Sequence, residues 1–283
     1  MELHFTKMHG CGNDYIYVDA FREKIDDIPK TAKMLSRRHF SVGADGMILV
    51  CPSGIADAKM RMFNADGSEG KMCGNGIRCV AKFVYDNGLC RRNPLKIETL
   101  SGIKTVSLEI SGGVAVAAEV DMGKPMVLPS EIPVLSDTNT PIINKSVEVG
   151  GKRLHVTCVS MGNPHCVIFV KKDFPLMTFP IEKVGPTIEK DKMFPEGVNV
   201  EFVKVISEKE LEMRVWERGS GETFACGTGA CASAAAAVMN GISKNDTDIC
   251  VHLRGGDLII NCGDEGIKMR GEAVTAFKGV VEI

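Results

Sequence analysis

Short runs in which hydrophobic and polar residues alternate make up most of the chain, and such alternation is typical of half-buried strands. It predicts strands at residues 3–8, 15–19, 47–51, 59–63, 96–99, 105–110, 114–120, 155–161, 166–170, 198–203, 210–216, 251–253, 258–261, 267–270 and 273–283. Tight turns that contain glycine separate many of these runs. They favour an antiparallel or mixed sheet, because a doubly wound series of parallel strands needs long crossover connections.

Two longer segments have the composition of central helices. One follows Cys73, and the other follows Cys226 and is rich in alanine, the residue with the highest helix propensity. Each is expected to stop at an Asn-Gly pair, at residues 87–88 and 240–241, because these residues readily adopt the left-handed conformation that ends a helix. A shorter helix is predicted over residues 28–40, and a short helix between loops is predicted within residues 173–197.

The two central segments are related to each other. Residues 60–85 align on residues 213–238 without a gap, so that Cys73 falls on Cys226. Two weaker internal similarities occur in the same order along the chain. One is between Gly12-Asn13 and Gly162-Asn163, and the other is between residues 97–102 and 251–256. Three ordered matches over most of the chain indicate an internal duplication. The period is too long for a solenoid, so two related domains are expected.

The composition is that of an ordinary soluble globular protein. The 283 residues are 44% hydrophobic and 25% charged, which is enough for a core in each of two domains. The formal net charge of −2 comes without a basic stripe or a charge block, so neither nucleic acid nor a membrane surface is expected as a partner. The sequence shows neither a signal peptide pattern nor an apolar run as long as a membrane span. A cytoplasmic protein is therefore expected.

The eleven cysteines do not form a recognisable metal or disulfide pattern. Their number is odd, their spacing is irregular and no C-x-x-C pair occurs, so no metal site is predicted. Most should be small buried hydrophobic residues. Cys73 and Cys226 differ, because each precedes the glycine-rich start of a central helix. The glycines there form no dinucleotide-binding or phosphate-binding motif, and no cofactor is indicated.

A cysteine at the start of a helix suggests acid–base chemistry. The first amides of a helix have no partners within it and lie at the positive end of its dipole. Cys73 and Cys226 are therefore expected to ionise more easily than a free thiol, and a carboxylate can bind beside them. A thiolate and a thiol on opposite sides of one carbon would invert that carbon by removing and returning a proton. An amino acid fits such a site, because its α-carboxylate would bind between the two helix starts.

Five motifs occur in order along the whole chain. They are HGCGNDY from residue 9, FNADGSE followed by CGNG from residue 63, MGNPHCV from residue 161, GVN from residue 197, and ERGSGET followed by ACGTGA from residue 217. Together they resemble the signature of the diaminopimelate epimerase family. The resemblance implies an enzyme that interconverts LL- and meso-2,6-diaminopimelate without a cofactor, on the route to lysine and peptidoglycan.

The resemblance also implies the architecture. The fold class is α+β, with two pseudo-symmetric domains that each wrap a mostly antiparallel or mixed sheet around a central helix, and with the active site in the cleft between them. The C-terminal strand is expected to return to the first domain, which gives residues 1–120 plus 272–283 and residues 121–271. A small-molecule substrate and a homodimer are implied as partners.

Roles for individual residues follow from the same resemblance. Cys73 and Cys226 would be the base and acid pair, and His165 and Glu217 would assist proton transfer or hold the α-amino group. Residues that would hold the amines and the distal carboxylate are Asn13, Asn64, Asn163, Asn199 and Arg218. Residues that would cradle the reacting carboxylate are Gly74, Asn75, Gly227 and Thr228. The types suit these roles, since asparagine both donates and accepts and arginine grips a carboxylate with two hydrogen bonds.

Several alternatives remain open from the sequence. A cofactor-independent racemase for proline or hydroxyproline would share the fold, but such relatives carry histidine where this chain has Asn75, and they have no use for Arg218. A phenazine-type isomerase would lack the first catalytic cysteine. A thiol redox sensor, which is a different class of protein, would join Cys73 and Cys226 in a reversible disulfide. A binding protein for a diamino acid would leave the paired thiols unexplained.

Two positions depart from the family pattern. Gly46 stands where some members carry a glutamine that contacts the substrate, and Cys11 stands where an aliphatic residue is common. Cys11 lies in a predicted site loop and is a candidate for a third reactive thiol. Three neighbouring acidic residues are interpreted only as turn and capping residues, namely Asp14, Asp66 and Glu69.

Overall fold

The computed structural model describes residues 2–283. In chain order its strands are β1 (Glu2–Gly10), β2 (Asn13–Asp19), β3 (Gly46–Cys51), β4 (Ala58–Asn64), β5 (Glu69–Gly70), β6 (Leu95–Thr99), β7 (Gly102–Ser111), β8 (Val114–Gly123), β9 (Lys145–Val149), β10 (Lys152–Ser160), β11 (Pro164–Val170), β12 (Asn199–Ser207), β13 (Glu210–Glu217), β14 (Gly221–Glu222), β15 (Asp248–Leu253), β16 (Gly256–Gly263), β17 (Gly266–Glu272) and β18 (Val274–Glu282). The helices are α1 (Ile28–Leu35), α2 (Gly74–Asp86), α3 (Ile181–Glu189) and α4 (Gly227–Met239), with one 3₁₀ turn at Leu176–Thr178. The predicted α+β class is confirmed.

The chain forms two compact units. Unit 1 contains the described residues up to Asp121 together with Arg270–Ile283, and unit 2 contains Met122–Met269. These limits differ by one or two residues from the boundaries predicted from the sequence. Each unit has its own hydrophobic core, for example around Leu3 and Ile16 in unit 1 and around Val198 and Val200 in unit 2.

The order of strand pairing is the same in both units. In unit 1, β1–β2 is antiparallel, β2–β3 parallel, β3–β4 antiparallel, β4–β6 parallel and β6–β7 antiparallel. In unit 2, β10–β11, β11–β12, β12–β13, β13–β15 and β15–β16 repeat that series in the same senses. The sheets are thus mixed, as predicted, and the shared topology supports an internal duplication.

A central helix lies against the sheet of each unit. Helix α2 packs against β1, β2, β3, β4, β6 and β7, and α4 packs against β10, β11, β12, β13, β15 and β16. Eleven consecutive residues of α2, Gly74 to Val84, are buried, and so are the alanines of α4. Small side chains keep the helix propensity high and allow the strands to approach α4 closely. Among residues 2–283 no helix is both long and apolar enough to cross a membrane.

Both central helices end as the sequence predicts. The C-cap residues are Asn87 and Asn240, and the glycine after each has a left-handed backbone, with φ of 71° at Gly88 and 68° at Gly241. Each asparagine also donates from Nδ2 to a carbonyl of the last turn, at 2.9 Å to Phe83 O and 2.7 Å to Ala236 O. A helix cap depends on a few residues that are adjacent in the chain, so it can be predicted from the sequence.

Gly241→Ala is expected to lower the free energy of unfolding by about 1 kcal/mol, because an L-residue is strained at this φ. No atom lies within 4 Å of the added Cβ, so the cost comes from the backbone alone. Gly54→Ala is the matched control, since that position is equally open and is not left-handed. Urea unfolding measures both variants, and equal stability of the two would contradict the expectation.

Helix α1 is shorter than predicted. The segment at residues 28–40 is helical only to Leu35, and His39 has a left-handed φ of 71°. The early stop has a tertiary cause: the turn brings the Arg38 guanidinium to the carboxylates of Asp14 and Asp45, at 2.6 and 2.9 Å. The short strand β9 was also not predicted, because most of its residues are polar and partly exposed.

Candidate active site

Cys73 is the N-cap residue of α2 and lies where the extended chain enters the helix. Its Sγ accepts a hydrogen bond from the backbone N–H of Gly76 at 3.3 Å, which satisfies one of the first amides of the helix. The same sulfur lies 3.2 Å from Oδ1 of Asn13. An amide oxygen only accepts, so the Cys73 thiol donates this second hydrogen bond.

A charged group holds the Asn13 amide in that orientation. Nδ2 of Asn13 donates to Oδ2 of Asp45 at 2.8 Å, and a carboxylate can only accept. Arg38 binds both Asp45 and Asp14. Burial alone would raise the pKa of the Asp14 carboxyl, but hydrogen bonds and charges of Arg38 and Lys7 outweigh it and lower that pKa. Asp14, interpreted above as a turn residue, is therefore an ion-pair partner, and Asp45 presents the Asn13 oxygen to the thiol.

The other residues predicted for this half lie on the same elements of unit 1. Gly74 and Asn75 form the buried first turn of α2, directly after Cys73. Asn64 ends β4, and its Nδ2 donates to Oγ of Ser68 at 3.0 Å rather than to the cysteine. Tyr15 lies close to the thiol, and burial followed by the charge of Cys73 raises the pKa of Tyr15 above its ordinary value, so its hydroxyl stays protonated.

Cys226 is the N-cap residue of α4 and repeats the geometry of the first cysteine. Its Sγ accepts from the backbone N–H of Gly229 at 3.3 Å. It differs in two ways: the residue is buried, and its Sγ lies 3.4 Å from Oγ1 of Thr228. Gly227 and Thr228, predicted to cradle a carboxylate, form the first turn of this helix.

The expectation that Cys226 ionises more easily than a free thiol is wrong. Burial raises the pKa of the Cys226 thiol well above its ordinary value, and the carboxylates of Glu217 and Glu201 raise it further. Hydrogen bonds from Thr228 and from the Gly229 amide lower it by less. The free-energy cost of burying the thiolate is larger here than the stabilisation that the start of the helix provides.

Glu217 is a carboxylate that lies next to this thiol. Burial raises the pKa of the Glu217 carboxyl, while hydrogen bonds with Thr223 and Cys226 and the charge of His165 oppose that rise. A carboxylate with a raised pKa is a stronger proton acceptor. Passing the thiol proton to Glu217 leaves one negative charge in the same buried space, so burial opposes this transfer less than loss of the proton to water.

A chain of hydrogen bonds runs from the interior of unit 2 to Cys226. Nδ1 of His165 lies 2.6 Å from Oε1 of Glu201, and neither side chain is exposed. Nε2 of His165 lies 3.1 Å from Oδ1 of Asn163. Nδ2 of Asn163 then donates to Oγ1 of Thr228 at 3.3 Å. The structure thus connects His165 and Asn163 to Cys226 through Thr228.

Asn199 and Arg218 are joined to each other. Nδ2 of Asn199 donates to the Pro164 carbonyl at 2.8 Å, and its Oδ1 accepts from the backbone N–H of Arg218 at 3.0 Å. Asn199 therefore ties the start of β11 to Arg218, the residue that follows β13. The exposed Arg218 side chain donates to the carbonyl of Glu196 at 2.8 Å.

Sequence reasoning missed Glu201 and Asp45. Glu201 is an acidic residue in an otherwise apolar stretch of β12, on the same face as Asn199, and this contrast was a usable signal. Asp45 directly precedes β3, where an acidic residue reads as an ordinary turn former. Both act through residues brought near by strand pairing.

Three remaining positions are explained by their surroundings. Asp66 accepts from both the amide and the hydroxyl of Ser68, which confirms it as a turn residue. Cys11 is 5% exposed and its Sγ accepts from Arg78 at 3.7 Å, so this thiol is shielded from solvent. A Cβ on Gly46 would lie 2.1 Å from the carbonyl oxygen of Phe63, so any side chain here requires the strands to shift.

Ion pairs beside the two sites repeat as well. Arg61 binds Glu69 at 2.8 Å in unit 1, and Arg214 binds Glu222 at 2.7 Å in unit 2. Glu69, interpreted as a capping or turn residue, instead ties β5 to β4 through Arg61. The repeated pair holds the chain that leads to each cysteine against the sheet.

One group in the described chain has the spacing of metal ligands, and it includes neither Cys73 nor Cys226. It consists of Cys250, His252 and Asp257 on β15 and β16. The two ring nitrogens of His252 are bound by Asp257 and Glu210 at 2.8 and 2.9 Å. A histidine paired with two carboxylates accounts for this cluster.

Comparisons with known proteins agree on one family. The sequence profile described as "Diaminopimelate epimerase" matches residues 5–128 and 157–276. The chain is 51% identical over 283 residues to a diaminopimelate epimerase of Acetivibrio thermocellus, covering 99% of each chain. It is 51% identical over 278 residues to one of Bacillus licheniformis, covering 97% of this chain and 96% of the relative.

Solved structures share the fold at low identity. A phenazine biosynthesis protein from Bacillus anthracis gives a TM-score of 0.72 at 18% identity, with 100% of both chains covered. A probable proline racemase from Agrobacterium radiobacter gives 0.67 at 13% identity, covering 99% of this chain and 92% of the other. At such identities these neighbours bear on the fold and not on the substrate.

Proposed function

The chain belongs to the diaminopimelate epimerase family and is an isomerase, and we propose that it interconverts LL- and meso-2,6-diaminopimelate without a cofactor. Cys73 and Cys226 exchange one α-proton in this proposal: a thiolate removes it from one face of the carbon, and the other thiol returns one to the opposite face. The roles are reversed in the reverse reaction. The product is needed for lysine and peptidoglycan synthesis.

The observation that carries the proposal is the duplicated cysteine cap. Each thiol accepts an amide hydrogen at the start of a central helix, from Gly76 in one half and from Gly229 in the other. Two thiols at matching helix starts suit a reaction that runs in both directions. The first-turn amides, which belong to Gly74, Asn75, Gly227 and Thr228, are proposed to bind the α-carboxylate, whose negative charge grows as the carbon is deprotonated.

The surroundings of the two thiols suggest how each is prepared. Cys73 donates to the Asn13 oxygen, which cannot take a proton, so this thiol is held protonated as the acid. Cys226 hydrogen-bonds Glu217, which can take one, and becomes the thiolate when its proton moves to that carboxylate. For the reverse reaction, substrate binding has to exchange the protonation states of the two thiols. In this scheme Glu217 acts on the thiol, and His165 acts through Asn163.

The remaining predicted residues are proposed to hold the second amino-acid head of the substrate. Arg218 is exposed and its guanidinium is bound only through one carbonyl contact in the described structure, so it can turn to a carboxylate. Asn64 ends β4, and Asn163 lies in the turn between β10 and β11, where its Nδ2 donates to Oγ1 of Thr228 at 3.3 Å. Asn199 contributes by holding the Arg218 backbone.

Arg218→Lys is expected to raise KM for LL-diaminopimelate by about ten- to a hundredfold, with a smaller effect on kcat. Lysine keeps the charge but loses the two-pronged grip on the distal carboxylate. Steady-state kinetics measure the change, and Arg153→Lys, on the exposed part of β10, is the control. An unchanged KM in the Arg218 variant would remove this residue from the binding site.

Proton NMR in heavy water tests the function directly. Purified reduced protein is given LL-diaminopimelate without pyridoxal phosphate, and loss of the α-proton signal with formation of the meso isomer is expected. Proline and hydroxyproline are run in parallel, and turnover of either one instead would identify a different racemase. Absence of exchange with all three would overturn the proposal.

We place the enzyme in the cytoplasm as a homodimer, with no nucleic acid or membrane partner. The resemblance supports the dimer, and β18 leaves Phe277 and Val280 about half exposed, at 50% and 52%. Exposed apolar side chains on one strand suit contact with a second copy. Sedimentation equilibrium tests this, and a monomer at micromolar concentration would overturn it.

A further inference from the structure

A buried carboxylate lies behind His165 in unit 2. The side chains of Glu201 and His165 have no exposure to solvent, and Oε1 of the carboxylate is 2.6 Å from Nδ1 of the ring. Its other oxygen, Oε2, has no hydrogen-bond partner. A carboxylate buried in this way is unfavourable unless its charge is balanced. The pair therefore needs an explanation beyond packing.

Charge balance decides where the ring protons lie. With a proton only on Nδ1, the ring is neutral and the pair carries a net buried negative charge. With one more proton the pair is neutral, and Nε2 carries a hydrogen that it donates to Oδ1 of Asn163 at 3.1 Å. Groups that interact electrostatically with Glu201 include Glu217, Cys166 and Cys226, all of which are acids. An amide oxygen only accepts, so the contact with Asn163 is made when Nε2 carries this hydrogen.

That proton sets the direction of the hydrogen bonds that lead to Cys226. Asn163, with its oxygen turned to the ring, donates from Nδ2 to Oγ1 of Thr228. Thr228 has then accepted a hydrogen bond and directs its own hydrogen to the sulfur, 3.4 Å away. If Nε2 lost its hydrogen, the Asn163 amide would turn over and Thr228 would donate to Asn163 instead.

The Cys73 half has no counterpart of this carboxylate. A Cβ on Gly76 would lie 2.8 Å from Cδ1 of Ile48, and a Cβ on Gly229 would lie 2.8 Å from Oε1 of Glu201. Ile48 and Glu201 thus occupy matching places beside the starts of α2 and α4. The duplication has kept both thiols while placing an apolar residue in one half and an acid in the other.

We propose that Glu201 is a positioning residue for epimerisation: it keeps a hydrogen on Nε2 of His165 and thereby directs the Thr228 hydroxyl to the Cys226 sulfur. The hydrogen bond from Thr228 lowers the pKa of Cys226, whereas the direct charge of Glu201 raises it, so the proposed effect of Glu201 acts through Thr228. The proposal rests on the proposed function for its kinetic consequence, whereas the proton on the ring is independent of turnover.

The first test reads the ring nitrogens of the wild-type protein. Long-range ¹H–¹⁵N correlation spectra of reduced, ¹⁵N-labelled protein are recorded from about pH 6 to about pH 9. His165 is identified by the loss of its signals in His165→Gln. A hydrogen on Nε2 at neutral pH is expected, since Nε2 lies 3.1 Å from an amide oxygen that only accepts. An unprotonated Nε2 at neutral pH would overturn the proposal, whether or not the enzyme turns over its substrate.

Two variants separate positioning from simple burial. Glu201→Leu places an apolar side chain where the other half has Ile48. We expect kcat to fall by about ten- to a hundredfold while KM changes by less than about threefold. Glu201→Gln can still donate to Nδ1, so it should keep a hydrogen on Nε2 and stay within about threefold of wild-type kcat. Glu212→Gln, which changes a partly exposed carboxylate on β13, is the control for losing an acid in unit 2.

The outcomes are separable. Wild-type kcat in the leucine variant, or equal loss of kcat in the leucine and glutamine variants with Nε2 protonated in both, would overturn the positioning role. If the leucine variant does not fold, the ring spectra of the wild type and of Glu201→Gln still decide it. Failure of the wild type to epimerise would instead count against the proposed function, and the ring spectra would stand.

Discussion

Replacing Cys73 or Cys226 with alanine is expected to reduce epimerisation at least about a thousandfold in both directions, because inversion needs a base on one face and an acid on the other. Each variant keeps one thiol, so slow exchange of the α-proton without inversion can persist. Proton NMR in heavy water, started from the LL isomer and separately from the meso isomer, measures inversion and exchange together.

Cys51→Ala is the control for these variants, since Cys51 is a partly buried cysteine on β3 that lies against the unit 1 core. Its activity should match the wild type. Inversion within about tenfold of wild type in either active-site variant would show that the thiol is dispensable, and the two-cysteine proposal would be abandoned.

Glu217→Gln is expected to lower kcat/KM about a hundredfold near neutral pH. The glutamine cannot accept the proton of Cys226, so the thiolate has to form by loss of that proton to water. Loss of the Glu217 charge also removes one of the causes that raise the pKa of Cys226. The deficit relative to wild type should therefore shrink as pH rises above the ordinary thiol range, about 8.5.

A pH profile of kcat/KM from neutral to alkaline conditions measures that recovery. Glu212→Gln serves as the control. A deficit that stays constant over the whole range would mean that Glu217 does not act as the proton acceptor for Cys226, and a structural role would replace it.

Glu217→Gln should also be more stable than the wild type at neutral pH. The folded state raises the pKa of Glu217 above the unfolded value of about 4.5, so the ionised carboxyl opposes folding. Below the unfolded pKa the group is protonated in both states and has no effect. The wild type therefore loses stability as pH rises from the unfolded pKa of Glu217 to its higher folded pKa. The Glu217→Gln variant does not. Urea unfolding at pH about 7.5 and about 4 should show a gain that is present only at the higher pH.

Local sequence determined the helices that carry the two thiols. Cys73 and Cys226 as N-caps, and the Asn-Gly stops at residues 87–88 and 240–241, were predicted and are present. Caps and helix propensity depend on neighbours within a few residues, so they can be read without knowing the fold. The positions of most strands were accessible for a similar reason, because alternation marks each strand by itself.

The chemical state of the site was decided by tertiary structure. The rise in the pKa of Cys226 reverses the expectation drawn from its helix position, and it comes from burial and from Glu217 and Glu201. Glu201 reaches His165 because β11 and β12 pair in parallel, with His165 opposite Asn199. Asp45 likewise fixes the Asn13 amide across a distance of 32 residues in sequence.

The difference between what the sequence determined and what the tertiary structure decided has one physical reason. Whether a thiol sits at a helix start depends on backbone propensities over a few residues, which the sequence states directly. Whether that thiol keeps its proton depends on how much water remains around it and on which charges strand pairing brings near. Those charges come from positions far apart in the chain, so the sequence determined where the two cysteines stand and only the folded structure decided how each is protonated.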